Sequence, residues 1–501
     1  MKKDKQIEWP LVTIPLIVVF SLSWLLERFP KNSQFILKGI RSFLNGQLSF
    51  LYILVGLFFF VSTLYAAFSK IGRIKLGEPA DKPEYSNLRW GVMIFTSTMS
   101  ADIIFYALCE WLMYSGEAFI KQKGNTMEWS LTYSLFHWGP IAWSFYLMLA
   151  VAFAYMLYVT NNKRQKFSEA CRPLLGKYTD GLVGKLIDLV AIFALIAGTA
   201  TTFSMSMPLL AQTIGTLFGV HQFKILSIVL ICVVVLIYLI ASVVGMKAIS
   251  WLSAICYCFF IGLLLYVLLF SGFFSYIIDA GLQSVGNLTQ NFIGMATTTR
   301  SHGFTQNWTI YYWSYWIVWC VATPFFIGSI SRGRTIKDVI LRGYTWGVGG
   351  TFCAFIILSN FGMAQQVQGL INATQLVANG QSYAQVAVKL METLPQYRIA
   401  LVLLALAMIG LYSTVFDSIT MVISKYSYKH LVVEEEPSKI IRGFWAIVFM
   451  VLPMALLISG SDMNNIQSVA IIAALPTMIV MILIVVSFYK ECSDNKNRGR
   501  Y

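Results

Sequence analysis

The length and number of uncharged apolar runs constrain this chain most. A helix needs about 20 mostly apolar residues to cross the hydrocarbon of a bilayer. Runs near that length recur through all 501 residues, over 11–26, 50–69, 90–114, 131–159, 186–214, 225–244, 249–273, 308–330, 339–360, 399–424, 441–459 and 469–488. Backbone polar groups inside lipid must be satisfied within the segment, so each run predicts a helix. The predicted fold class is an all-α polytopic membrane protein with twelve transmembrane helices. Composition agrees: 57% of residues are hydrophobic and 12% charged, where a soluble domain needs about 25% charged. No small-residue cleavage site follows the first run, which reads as a retained helix. Segments 28–48 and 274–306 are mixed or amphipathic and are expected along the outer surface.

Twelve spans put both ends on one side, and positive charge says which side. The termini and even-numbered loops carry 27 of the 37 Lys and Arg, and the opposite loops carry 10. The expectation is a multi-pass protein of the cell membrane with both termini cytoplasmic. The net charge of +14 therefore orients the chain against the lipid bilayer. Nucleic-acid binding would need a soluble basic surface. The eight Cys are scattered without CxxC or paired Cys/His spacing, and read as reduced packing residues without a metal site. No phosphate loop and no Ser/His/Asp arrangement occurs, so no cofactor and no enzyme chemistry is indicated.

The segment 307–319, Asn-Trp-Thr-Ile-Tyr-Tyr-Trp-Ser-Tyr-Trp-Ile-Val-Trp, holds four Trp and three Tyr. Trp308, Tyr312, Tyr315 and Trp319 recur along one helical stripe. A membrane-surface belt explains one or two such rings, and seven need another reason. Two readings stand: aromatic packing, or a box whose ring faces bind a quaternary ammonium, a cation with no hydrogen bond to donate.

This segment resembles the signature of the betaine/choline/carnitine transporter (BCCT) family, and the basic loop 330–335, Ile-Ser-Arg-Gly-Arg-Thr, follows where that family has a nearly identical one. The resemblance covers about 24–489. The segment 133–140, Tyr-Ser-Leu-Phe-His-Trp-Gly-Pro, is similar to the carnitine/γ-butyrobetaine antiporter branch. The resemblance implies a LeuT-like architecture: two N-terminal helices (11–69), two inverted five-helix repeats (90–273 and 308–488) and a short cytoplasmic tail (489–501). It further implies a substrate site near the midplane and a homotrimer. On the family pattern Trp138, Tyr315, Trp316 and Trp319 form the cation box, with Trp143 at its floor.

The third run departs from the family's glycine-rich segment, reading Thr-Ser-Thr-Met-Ser-Ala-Asp over 96–102. A carboxylate inside a span costs about 3 kcal/mol by insertion scales, so Asp102 is functional by default. Choline-transporting members resemble this chain in carrying Asp there. Choline has no carboxylate, whereas betaine or carnitine would bring one towards Asp102. The alternative is a protonated Asp102, or one bonded to nearby backbone. Glu110 lies two turns on, and serves either hydrogen bonding or substrate contact. Trp111 and Met113 close the run, and Met can face a trimethylammonium group. His137 reads first as a satisfied structural group and second as a proton carrier.

Sodium-dependent relatives use a Thr-Ser pair in the tenth span. Here that region is Ser-Thr-Val-Phe-Asp-Ser over 413–418, with Val415 in place of the second hydroxyl, which leaves Thr414 and Asp417 as coupling or structural candidates. Sodium-independent antiporters carry an Arg that aligns with Ser253, and Lys247 reads as a surface charge. A proton on Asp102, or exchange against another amine, both fit. The short tail, beside the long extensions of osmosensing members, argues for uptake or exchange. The expected function is secondary transport of a quaternary ammonium compound, choline first and a carnitine or betaine exchanger second. The rival of another class is a membrane enzyme or receptor binding a trimethylammonium ligand.

Overall fold

The computed structural model describes residues 6–98, 101–244 and 246–497, with side chains except at 96–98, 241–254 and 496–497. The N-terminal part has α1 (Trp9–Arg28), α2 (Pro30–Gln47) and α3 (Ser49–Phe68). Next come α4 (Asn87–Thr98), α5 (Asp102–Ser115), α6 (Ala118–Lys121), α7 (Thr126–His137) and α8 (Pro140–Tyr158). Two short helices, α9 (Phe167–Ala170) and α10 (Arg172–Leu175), precede α11 (Leu182–Phe218), α12 (Phe223–Val244), α13 (Met246–Phe270) and α14 (Phe274–Thr297). The aromatic segment forms a π-turn at Thr305–Thr309, α15 (Ile310–Trp319) and α16 (Thr323–Ser329). The remainder is α17 (Ile336–Val367), α18 (Ala373–Ala378), α19 (Tyr383–Glu392), α20 (Tyr397–Tyr426), α21 (Lys439–Ile458) and α22 (Met463–Asn497).

Among the described residues, nine helices are long and apolar enough to cross a membrane, or up to eleven counting two bent pairs. The twelfth expected span is α4 with α5, which flank residues 99–100, outside the described set. Two boundaries and the burial of three cysteines differ from the sequence reading. Helix α22 continues to Asn497, so most of the expected tail is helical, its polar turns extending a helix already nucleated in the apolar span. The polar loop 362–396 contains the end of α17, α18 and α19, the last held by a capping box at Ser382 and Gln385, which satisfies two of the free backbone donors at its start. Three of the eight cysteines, Cys232, Cys258 and Cys353, are exposed rather than packed inside, as their outward-facing apolar helices allow in lipid. Lys247 and Ser253 fall outside the described side chains.

Parity of the crossings is visible in the loops. At one end, Ile7 bridges to Tyr428, Arg164 to Val432 and Lys75 to Thr335. There too Lys166 Nζ lies 3.2 Å from Glu8, and Lys490 Nζ donates to the Pro173 carbonyl at 2.8 Å. At the other end, Arg41 of α2 donates to the Asn464 carbonyl at 2.7 Å, and Asn45 Nδ2 to that of Gln306 at 2.5 Å. The chain at Ile7–Glu8 and at Lys490 thus meets the basic loops at one end.

Two interruptions position the site. Helix α7 ends at His137 with Trp138 as its C-cap, and Pro140 restarts the chain as α8. A Cβ on Gly139 would lie 2.4 Å from the Leu135 carbonyl oxygen, so only glycine permits this break, and the break turns Trp138 inward. Helices α15 and α16 bend by 50° across the break at 320–322, with Pro324 in the first turn of α16. Gly347 brings α17 onto the Trp143 ring, where a Cβ would sit 2.5 Å from ring carbons, the close approach small residues allow between membrane helices.

Candidate substrate site

Helix α5 carries Asp102, Tyr106, Glu110 and Tyr114 at four-residue intervals, which lie along one face. All four are buried. The face meets α15, whose residues Ile310 to Trp319 are buried throughout. Three carboxylates then accept from three aromatic residues in reversed order along the chain. Asp102 Oδ2 accepts from the Tyr315 hydroxyl. Glu110 Oε2 accepts from the Tyr312 hydroxyl at 2.7 Å. Glu117 Oε1 accepts from Trp308 Nε1 at 2.7 Å. The helical stripe is thus divided among three acids, which the spacing alone did not suggest.

The rings of the predicted box fall into two groups. Trp138 and Trp316 meet edge to face, with centroids 5.6 Å apart and planes at 70°. Trp316 also packs on Tyr146 at 4.8 Å and Trp143 at 5.7 Å, while Trp138 meets Phe355 at 5.2 Å and Tyr106 at 5.6 Å. Tyr315 belongs to a tyrosine group: it stacks on Tyr311 with centroids 5.7 Å apart, and Tyr311 shares a 2.5 Å hydroxyl contact with Tyr106. Tyr106 touches both groups. Trp319 lies against α11, where a Cβ on Gly198 would come within 3.3 Å of its indole.

Polar groups fix these rings. The Tyr315 hydroxyl also meets Thr202 of α11. Ser206 donates to the Thr202 carbonyl at 2.7 Å and meets Tyr412 of α20 at 2.5 Å. Trp138 Nε1 donates to Glu110 Oε2 at 2.9 Å, and Trp316 Nε1 to the His137 carbonyl at 3.1 Å. Buried indole N–H groups need such acceptors. His137 Nδ1 meets the Tyr114 hydroxyl at 2.7 Å and Nε2 meets Thr309 Oγ1 at 3.0 Å.

The other candidates sit elsewhere. Trp111 donates to the Leu108 carbonyl at 3.0 Å, and its indole lies against Gly362 of α17. Met113 is buried on α5. Thr414 donates to the Leu411 carbonyl of its own helix at 3.0 Å. Asp417 pairs with Arg442 of α21, whose guanidinium stands 5.9 Å from the Tyr238 ring centre. The sequence reading missed Tyr106, Tyr114 and Thr202. Tyr106 and Tyr114 were accessible in principle, since they fall on the same four-residue period as Asp102 and Glu110. Thr202 comes from a distant helix and carries no local signal.

A helical membrane protein with a buried site of converging rings and carboxylates, built on interrupted helices, is the architecture of a membrane carrier. The chain belongs to the family described as BCCT, betaine/carnitine/choline family transporter, which it matches over residues 10–497. It is similar to the glycine betaine transporter OpuD of Bacillus subtilis, 30% identical over 93% of this chain and 91% of the relative. It is also similar to a carnitine transporter of Acinetobacter baumannii (26% identical, 85% of this chain and 79% of the relative). The betaine/ectoine transporter LcoP of Corynebacterium glutamicum is 29% identical over 86% of this chain and 69% of its own length. The protein is therefore a transporter of the betaine/carnitine/choline type and not an enzyme.

Proposed function

We propose that the chain carries choline or a closely similar trimethylammonium alcohol across the cell membrane, with both termini in the cytoplasm, without sodium. The observation behind the substrate is Asp102, a buried carboxylate hydrogen-bonded to Tyr315, whose ring packs on Tyr106, which in turn meets Trp138. Rings supply the attraction that a quaternary ammonium can use, and the carboxylate supplies the counter-charge a plain cation lacks. Trp138, Tyr315, Trp316 and Trp319 are the proposed box. Sodium independence rests on Val415 and on a Thr414 hydroxyl turned to its own backbone.

The second reading is a betaine or carnitine exchanger, favoured by what the similar proteins are named for. Counterflow of labelled choline, betaine and carnitine in proteoliposomes, with and without Na⁺ and a proton gradient, decides between them. Choline counterflow in potassium buffer supports the first reading. Counterflow of carnitine or betaine alone replaces it with the second.

A further inference from the structure

Asp102 and Glu110 are both buried carboxylates on one face of α5, and they are not equivalently satisfied. Glu110 Oε2 takes two donors, Trp138 Nε1 and the Tyr312 hydroxyl. Glu110 Oε1 is buried with no hydrogen-bond partner. An unmet carboxylate oxygen inside a protein is costly. His137 Nδ1 lies 3.9 Å from it, on a side chain as fully buried as its own. The Tyr114 hydroxyl bridges towards the same imidazole at 2.7 Å, and the Tyr312 ring stacks on it, with centroids 4.9 Å apart and planes at 12°.

We propose that Glu110 and His137 together form a site for one exchangeable proton, linked to the cation box through Trp138 and Trp316. With one proton the pair is neutral in total, as a protonated carboxyl beside neutral imidazole or as a carboxylate beside imidazolium. Without it the pair carries one negative charge. At this separation the proton is assigned to the pair and not to either residue alone. Both box walls are fastened to it, Trp138 by its indole N–H on the Glu110 carboxylate and Trp316 by its indole N–H on the His137 carbonyl. The other titratable groups facing the pair are Tyr106 and Tyr114 of α5, Tyr133 of α7 and Tyr311 and Tyr312 of α15, with Asp102 two turns away. No Lys or Arg ion pair to Glu110 occurs among the described residues.

The sign of the linkage follows from charge. A trimethylammonium group against Trp138 favours the negative form of the pair, so its binding expels the proton and acid weakens its binding. The coupling is reciprocal. For a proton wholly excluded by the cation, affinity falls by about tenfold per pH unit below the titration of the pair. The link to the box rests on the proposed substrate class, and the proton site itself does not.

The test uses the full-length protein in lipid. Infrared difference spectra of ligand-free protein between mildly alkaline and mildly acidic pH report protonation of the pair, as a protonated carboxyl stretch or as imidazolium ring modes with a perturbed carboxylate stretch. Wild type and Asp102→Asn are expected to show the pH-induced band, Glu110→Gln to lose it, and His137→Gln to shift its midpoint. Calorimetry of choline binding in buffers of different ionisation enthalpy then counts protons. Wild type is expected to release protons on binding choline, and Glu110→Gln none. Retention of the full band and proton release in folded Glu110→Gln overturns the site. So does loss of the ligand-free band in Asp102→Asn alone. Should wild type bind no choline, the proposed function fails, and the infrared band still decides the proton site.

Discussion

The Tyr315 hydroxyl donates to the Asp102 carboxylate and at the same time meets Thr202. The proposed counter-charge and one proposed wall of the cation box are thus one hydrogen-bonded unit, tied from α5 through α15 to α11. A change at either residue acts on both charge and ring position.

Asp102→Asn keeps the shape and removes the charge. Choline selectivity over betaine and carnitine is expected to be lost, while Asp102→Gly shifts preference towards the zwitterions. Tyr315→Phe keeps the ring and removes the donor, and is expected to weaken choline less than Asp102→Asn does. Competition binding of the three compounds to wild type and variants measures this. A wild type that prefers carnitine or betaine, with Asp102→Asn unchanged, makes Asp102 a structural residue.

The box predicts graded losses. Trp316→Ala and Trp319→Ala should each weaken binding by about 1–2 kcal/mol, or about 5- to 30-fold, through loss of a desolvated cation–π contact. Phe at either position should keep much of it. Trp316→Ala also removes a ring from Trp138, Trp143 and Tyr146, so thermal stability is measured alongside. Equal affinity in both Ala variants would remove the box from α15.

Uptake is expected to persist when Na⁺ is replaced by K⁺, since Val415 offers no side-chain oxygen and the Thr414 hydroxyl donates to the Leu411 carbonyl. Initial rates in proteoliposomes under the two salts test this. A strict need for millimolar Na⁺ would point to a different set of ligands.

One pH effect concerns the loop end of the molecule. Burial pushes the Glu169 carboxyl up, but hydrogen bonds from Arg172 and Asn162, with the Arg164 charge, outweigh it and hold the group below its ordinary value. The distances are 2.7 Å to Arg172 Nε and 3.0 Å to Asn162 Nδ2. A depressed carboxylate stabilises the fold above its unfolded pKa, and that contribution disappears as pH falls through the folded value. Thermal unfolding in detergent should therefore show wild type losing stability on acidification in a window where Glu169→Gln loses less. Parallel curves for the two proteins would show that Glu169 is not a source of acid sensitivity.

Apolar run length is a local property, because a membrane helix satisfies its own backbone. The sequence by itself therefore determined most of the apolar helices, and the break at Gly139 and Pro140. It also marked Asp102 and Glu110 as outliers, since a carboxylate in a span stands out by its cost. Which aromatic residue each acid would hold was decided only in three dimensions. Tyr312 meets Glu110, Tyr315 meets Asp102 and Trp308 meets Glu117 because α5 and α15 pack in one particular register and direction. Register between the two helices is set by the packing of α5 against α7, α11 and α17 and of α15 against α11 and α22, and periodicity within either one contains no information about it. For the same reason only the tertiary structure left one oxygen of Glu110 without a donor and brought His137 to its side.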